Sequence, residues 1–359
     1  MNILFLNSAK EWGGNEKWSL TAATDLALCG HKVYFGCRSD IFAKKHAENV
    51  VQFVNIPFAN VFDIVSLLKI RSFIKKNAID IVIPTKQREY LLGGLAAWKK
   101  AKIAARLGID RPLHNFRNRF VFCVLFDAVI VNSKKIIAAL ALTPGFDTGK
   151  CKLVYNGVAI PEINDEVRCT YRQELKVDKD ECCIMCIGRL SSQKGIDFAL
   201  EAFANLCENV KNSRLILVGE GSGRAEYEML AKKLAITDRV TFTGHRDDIS
   251  GLLLAADIFW LTSRSEGMSN ALLEAMAHAK AVVAFDIAGV DEAIVNNVNG
   301  IIIPSEDTVI LADASRSLIV DVERRNTIAE NARSHVVKTF SREKSVAVLE
   351  RALMDIIKE

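Results

Sequence analysis

The sequence predicts an α/β fold built from two doubly wound parallel-sheet domains, and three observations carry that expectation. At 359 residues the chain exceeds the usual reach of one hydrophobic core. Short apolar strand-like runs alternate with helical periodicity almost from end to end, and repeated strand-then-helix order builds parallel sheets with helices on both faces. The charge is also divided: residues 1–160 carry 23 Lys/Arg and 11 Asp/Glu, whereas residues 161–359 carry 24 and 32, beneath a net charge of only +4.

In the first half the expected strands are Ile3–Leu6, Lys32–Cys37, Val50–Val54, Ile79–Ile83, Ile103–Leu107 and Ala128–Val131. In the second half they are Cys182–Ile187, Arg214–Val218, Val240–Thr243, Ile258–Leu261, Ala281–Phe285 and Gly300–Ile303. Between them, Ile196, Ala199, Leu200, Phe203 and Leu206 share one helical face, as do Trp18, Ala22 and Leu26. Tyr155-Asn156-Gly157-Val158 is a turn signal followed by Pro161, and it places a linker there. The domains expected are therefore residues 1–160 and 161–340, with 341–359 a charged amphipathic helix from Arg342 to Lys358 that no strand follows. Residues 161–181 are polar and turn-rich and give no element.

Half the residues are apolar and a quarter charged, as in ordinary soluble globular chains. No apolar run approaches the roughly 18 residues of a membrane span, and Met1–Asn7 reads as a strand, not a signal peptide. The expectation is a cytoplasmic protein. Nine cysteines, an odd number scattered through strand-like runs, read as reduced packing thiols. Cys183-Ile184-Met185-Cys186 lacks a second pair and lies within an apolar strand, so it reads as core, not a metal ligand set. Asp178-Lys179-Asp180 precedes a strand instead of following one, which argues against a metal there, and Asp247-Asp248 reads as a helix N-terminal pair.

Function concentrates in Ser263-Arg264-Ser265-Glu266-Gly267-Met268-Ser269-Asn270-Ala271-Leu272-Leu273-Glu274. The segment follows the run Ile258–Leu261 and opens a helix, so its backbone N–H groups and dipole suit a phosphate. Glu266 and Glu274 can accept sugar hydroxyls on either side, which points to a sugar nucleotide. Gly188-Arg189-Leu190-Ser191-Ser192-Gln193-Lys194-Gly195 lies at the same kind of junction, and Arg189 with Lys194 can converge on a diphosphate. Gly219-Glu220-Gly221-Ser222-Gly223 reads equally as a tight turn and as a ligand lining; Arg224 stands where a dinucleotide fingerprint wants its third glycine. Gly13-Gly14 can bring backbone close to a ligand, or simply begin a helix. Between Trp98 and Phe126, seven Lys/Arg residues interleave with aromatics, which suits either an anionic lipid surface or a core helix with solvated arginines; no nucleic-acid module accompanies them.

Together these motifs resemble the retaining glycosyltransferases of family 4: the Gly13-Gly14 loop, Gly188-Arg189 with Lys194-Gly195, Gly219-Glu220-Gly221, and Glu266 with Glu274. The resemblance implies the GT-B fold, two facing Rossmann-like domains with the C-terminal helix crossing back to the first. It implies that Arg189 and Lys194 hold the diphosphate, Glu274 the ribose and Glu266 the transferred sugar, lined by Gly267, Met268, Ser269, Asn270 and Ala271. Gly14, beside Gly13, would face the phosphates, and Gly244 and His245 would lie near the base. A catalytic histidine of the family falls where this chain reads Arg106-Leu107-Gly108, leaving His114 as the candidate, with an ordinary surface histidine as the alternative. The expected reaction moves a sugar from a nucleotide-sugar donor, a UDP-sugar first among them, to a glycan or lipid-linked acceptor. No metal or cofactor is expected. Bacterial lipopolysaccharide or other surface-polysaccharide synthesis, peripheral on the inner face of the membrane through residues 98–126, is the setting implied. A sugar-nucleotide epimerase of the same fold, or a non-catalytic sugar-nucleotide-binding protein, is the alternative; an NAD oxidoreductase would need the full glycine fingerprint.

Overall fold

The computed structural model describes residues 1–38, 42, 50–108, 113 and 115–359. The chain divides into two compact units: Met1–Gly157 with Glu343–Glu359, and Val158–Arg342. Among the described residues, the first unit holds seven strands: β1 (Asn2–Asn7), β2 (Lys32–Cys37), β3 (Gln52–Asn55), β4 (Ile81–Pro84), β5 (Lys102–Leu107), β6 (Ala128–Val131) and β7 (Cys151–Leu153). The second holds six: β8 (Cys182–Ile187), β9 (Ser213–Val218), β10 (Val240–Gly244), β11 (Ile258–Leu261), β12 (Ala281–Phe285) and β13 (Ile301–Ile303).

The sheet orders are β3-β2-β1-β4-β5-β6-β7 and β10-β9-β8-β11-β12-β13, and every strand pair is parallel. Each sheet winds outward from its first strand and then reverses, so β1/β4 and β8/β11 are the switch points where doubly wound sheets take ligands. This is the expected fold class, two Rossmann-like units. The central strands are apolar on both faces because helices cover both: Ile81–Pro84 and Ala281–Phe285 are buried throughout.

The helix Arg342–Lys358 belongs, from Glu343 on, to the first unit, as expected for a returning C-terminal helix. Leu349, Leu353 and Ile356, one face at helical spacing, are buried with Ile3, Phe5 and Leu26. Two elements differ from the expectation. β7 was not foreseen, because three half-buried residues carry no periodicity. The polar stretch 161–181 holds the helix Asp165–Glu174, whose N-cap Asn164 accepts from the Glu166 and Val167 N–H groups. Arg172 is its one buried residue, so no apolar stripe announced it.

Candidate functional site

The second unit gathers most of the candidate residues at the carboxyl edge of its sheet. Here four strand-end loops are pressed together, backbone to backbone. A Cβ on Gly195 (φ +60°) would stand 2.0 Å from the Thr262 carbonyl oxygen, and one on Gly289 (φ +80°) 1.9 Å from that of Gly267. A Cβ on Gly219 (φ +140°) would likewise stand 1.9 Å from the Gly188 carbonyl oxygen, and one on Gly221 2.3 Å from that of Leu190. These contacts account for Gly219-x-Gly221 as a close approach of chain to chain. The β8 and β11 loops are further stitched: Arg264 N–H donates to the Gln193 carbonyl at 2.8 Å, and the Gln193 side chain donates to the Ser265 carbonyl at 3.1 Å. Arg264 pairs with Asp197 at 2.6 Å and stacks on Phe198, 4.2 Å from its ring centre.

Within that frame Lys194 and Glu266 form an ion pair, and Ser263 Oγ donates to the same Glu266 oxygen at 3.0 Å. The Lys194 stem lies over Gly188, where an added Cβ would meet its Cδ at 3.2 Å. The pair thus bridges the loops after β8 and β11, across the switch point. Sequence reading placed both residues at such loops and set Ser263 at the head of the same segment without a role; it sits three residues before Glu266 and is nearly fully buried.

Arg189 is exposed on the loop that carries Lys194. Gly267, Met268 and Ser269 are buried, and Asn270 and Ala271 half-buried. Ser269 caps the helix Asn270–Ala277, its hydroxyl facing the Leu272 N–H at 3.5 Å. Glu274 is half-buried on that helix. Its carbonyl accepts from His278 Nδ1 at 2.7 Å, and the ring's Nε2 then accepts the Ser250 hydroxyl at 2.8 Å. Burial pushes His278 down to about 4, with the bond to Glu274 opposing.

Gly244 (φ +73°) ends β10 and bridges to Gly219. His245 is exposed, 3.5 Å from Asp247. Asp248 immediately precedes the helix Ile249–Ala255, but its carboxylate does not cap it. Hydrogen bonds from Arg246 and Tyr171 claim that carboxylate instead and, despite some burial, hold it well below the usual range. Cys183 and Cys186 lie in β8, and burial raises both thiols, Cys183 to about 12 with Asp257 adding to the shift. Asp178 lies in a turn, its N–H donating to Glu181 and its carbonyl accepting from Arg172.

Gly13 and Gly14 belong to the first unit, between β1 and the helix Gly14–Leu28. Gly13 is extended, φ −160°, and a Cβ on Gly14 would meet nothing within 4 Å. Asn15 Nδ2 donates to the Thr85 carbonyl at 3.2 Å, and buried Glu16 pairs with Lys86 at 2.5 Å. His114 lies outside the described residues. The basic-aromatic stretch is not one continuous surface. Trp98 and Phe116 are 45% and 83% exposed, whereas Phe122, Phe126 and Arg106 are buried. Arg106 is therefore not a solvated cation: its guanidinium lies 4.3 Å from the Trp18 ring centre and donates to Asn156 Oδ1 at 2.9 Å, and burial pushes it down to about 10. Among the described residues, no helix is long and apolar enough to cross a membrane.

Residues 167–335 match the family model described as Glycosyl transferases group 1. Alpha-D-kanosaminyltransferase of Streptomyces kanamyceticus is 31% identical over 46% of this chain and 43% of its own length. N-acetyl-alpha-D-glucosaminyl L-malate synthase of Bacillus anthracis is 30% identical over 52% of this chain and 49% of its own. The matched stretch thus spans about half the length of these curated relatives. Among solved structures, Anabaena HepE in complex with UDP-glucose superposes with a TM-score of 0.88 at 23% identity, covering 99% of this chain and 100% of that one. That likeness is one of fold.

Proposed function

We propose, from the match of residues 167–335 to the family model described as Glycosyl transferases group 1, that this chain transfers a sugar from a nucleotide-sugar donor to a glycan or lipid-linked acceptor. The observation that carries the reading is the Lys194–Glu266 pair with Ser263, held between two strand-end loops at the switch point of the second sheet. Bringing a diphosphate to Arg189 and Lys194 gives the ammonium a more strongly charged partner than one carboxylate. Glu266 is then released toward the hydroxyls of the transferred sugar, while Glu274 takes the ribose. As the glycosidic bond breaks, negative charge builds on the departing diphosphate. Arg189, Lys194 and the N–H groups that open the helix Asn270–Ala277 stabilise it without a metal. The acceptor hydroxyl enters on the face the diphosphate leaves, so the anomeric configuration is retained, and no glycosyl-enzyme bond is needed.

The donor is proposed to be a UDP-sugar, in keeping with the UDP-glucose complex of the similarly folded HepE, with Gly244 and His245 near the base. Bacterial surface-glycan synthesis on the inner face of the membrane is the proposed setting. Lipopolysaccharide core biosynthesis glycosyltransferase LpsE of Rhizobium meliloti, 31% identical over 48% of this chain and 49% of its own length, supports that choice. The test is a panel of UDP-, GDP- and ADP-sugars scored by thermal shift and by transfer to bacterial glycan acceptors. A ligand bound only by the folded chain raises Tm, so UDP-sugars should raise it and the Lys194→Ala variant should lose most of that rise. A flat response to every sugar nucleotide would overturn the reading.

A further inference from the structure

Two guanidinium groups of the first unit converge on one oxygen. Arg88, in the first turn of the helix Gln87–Ala97, donates to the Phe58 carbonyl at 2.6 Å, and Arg38, just past β2, reaches the same atom at 3.5 Å. That carbonyl belongs to a rigid frame. Phe58 is fully buried with φ +47°, its N–H donates to Ser66 Oγ at 2.8 Å, and Ser66 Oγ donates to Asp63 at 2.6 Å. One neutral acceptor is poor compensation for two cations. Burial and the neighbouring Arg88 both lower Arg38, with only Glu89 opposing.

Among the described residues, Glu89 is the acid whose charge acts on Arg38. Glu16 is taken by Lys86 at 2.5 Å. Glu89 is fully buried and accepts the Ser8 N–H, and burial pushes its carboxyl up. Among the described residues, Arg38 Nε and Glu89 Oε2 are buried with no hydrogen-bond partner. Buried polar groups are normally paired, so two orphans in one place need a reason. Their place supplies one: Arg38 follows β2 and Arg88 follows β4, the strands on either side of β1, at the carboxyl edge and at the switch point.

We propose that Arg38 and Arg88 form an anion site that grips a phosphate or carboxylate group of the acceptor sugar. A guanidinium presents planar paired donors matched to such oxygens, and two of them, half-buried, favour a bidentate anion over a neutral hydroxyl. The link to an acceptor rests on the glycosyltransferase reading; the anion site itself does not, since both arginines lie in the first unit.

The test titrates the 15N-labelled full chain, with and without UDP, at constant ionic strength with glucose 6-phosphate, glucuronate and glucose. It follows the arginine Nε–H resonances, assigned through Arg38→Gln and Arg88→Gln. The Arg38 and Arg88 signals should move saturably with the phosphate or the carboxylate sugar and stay still with glucose. The anion that saturates at lower concentration identifies the group. Each glutamine variant should weaken that binding at least tenfold; Arg38→Lys, which keeps the charge but loses the fork, serves if glutamine unfolds the chain. Signals that ignore both anions, or that follow glucose equally, would overturn the proposal. Failure of the glycosyltransferase reading shows elsewhere, as UDP leaving Tm unchanged while the Arg38 titration proceeds.

Discussion

The carboxyl edges of the two sheets share a topology and differ in how they are held. In the second unit the loops touch through backbone, at Gly195, Gly219, Gly221 and Gly289, and the charged groups there are paired. In the first unit the edge is held by side chains, among them charged ones with a buried polar atom that no described residue partners: Arg38, Glu89 and Arg106. One edge is rigid because no side chain fits between its loops. The other stores unspent hydrogen-bonding capacity, which a ligand can use. The two should therefore respond differently to the same kind of perturbation.

The largest effect is expected from Gly289→Ala. A Cβ there must displace the Gly267 carbonyl from 1.9 Å, at φ +80°. The variant should lose about 3 kcal/mol in urea unfolding, the range of a forced backbone shift at a left-handed position. It should also lose the Tm rise given by UDP, since Gly267 follows Glu266. A loss under about 0.5 kcal/mol, within the range of an ordinary surface change, would show that this contact does not hold the edge. Next comes Lys194→Ala. The pair is only partly buried, so stability should fall by about 1 kcal/mol at most. Turnover should drop by about 100-fold or more if the ammonium stabilises the leaving diphosphate. Steady-state transfer kinetics near the wild-type rate would remove Lys194 from that role.

The contrast between the units extends to pH, with opposite signs. His278 in the second unit is depressed from 6.5 to about 4, chiefly by burial. Its contribution is present above pH 6.5 and is lost as pH falls from there toward 4, at most about 3 kcal/mol. Glu89 in the first unit is raised by burial, so its contribution is present below the ordinary carboxylate range and is lost as pH rises through its elevated value. Hydrogen exchange should show the second unit loosening under acid, and His278→Gln should flatten that slope. Glu89→Gln should flatten the opposite slope in the first unit. A His278→Gln variant with the wild-type acid profile would mean another group governs it.

The two edges also differed in how far the sequence announced them. Ser263–Glu274 was legible because its chemistry is local: a strand end, a cap and two acids on one short segment, and Lys194 stands on a loop of the same kind. The glycines at 219 and 221 read equally as turn and lining because their reason is contact with Gly188 and Leu190 on another loop. Arg106 read as a surface cation because nothing near it in sequence reveals that Trp18 and Asn156 receive it. Arg38 and Arg88 went unnoticed for the same cause, since their convergence depends on β2 and β4 flanking β1. Alternating apolar runs foretold the parallel sheets, yet a helix with Arg172 as its one buried residue left no periodic trace.

The smallest stability effect is expected from Gly14→Ala, and it sharpens the comparison with Gly289 most directly. Gly14 opens the helix Gly14–Leu28, and an added Cβ meets nothing within 4 Å. Alanine also narrows the unfolded ensemble, so urea unfolding should show no loss and a gain of up to about 0.5 kcal/mol. We propose that the open space at Gly14 admits a ligand's phosphate against bare backbone, where a methyl group would stand in its way. Transfer activity should then fall at least tenfold while stability holds. Unchanged activity in a stable Gly14→Ala chain would leave this glycine with no task beyond starting a helix.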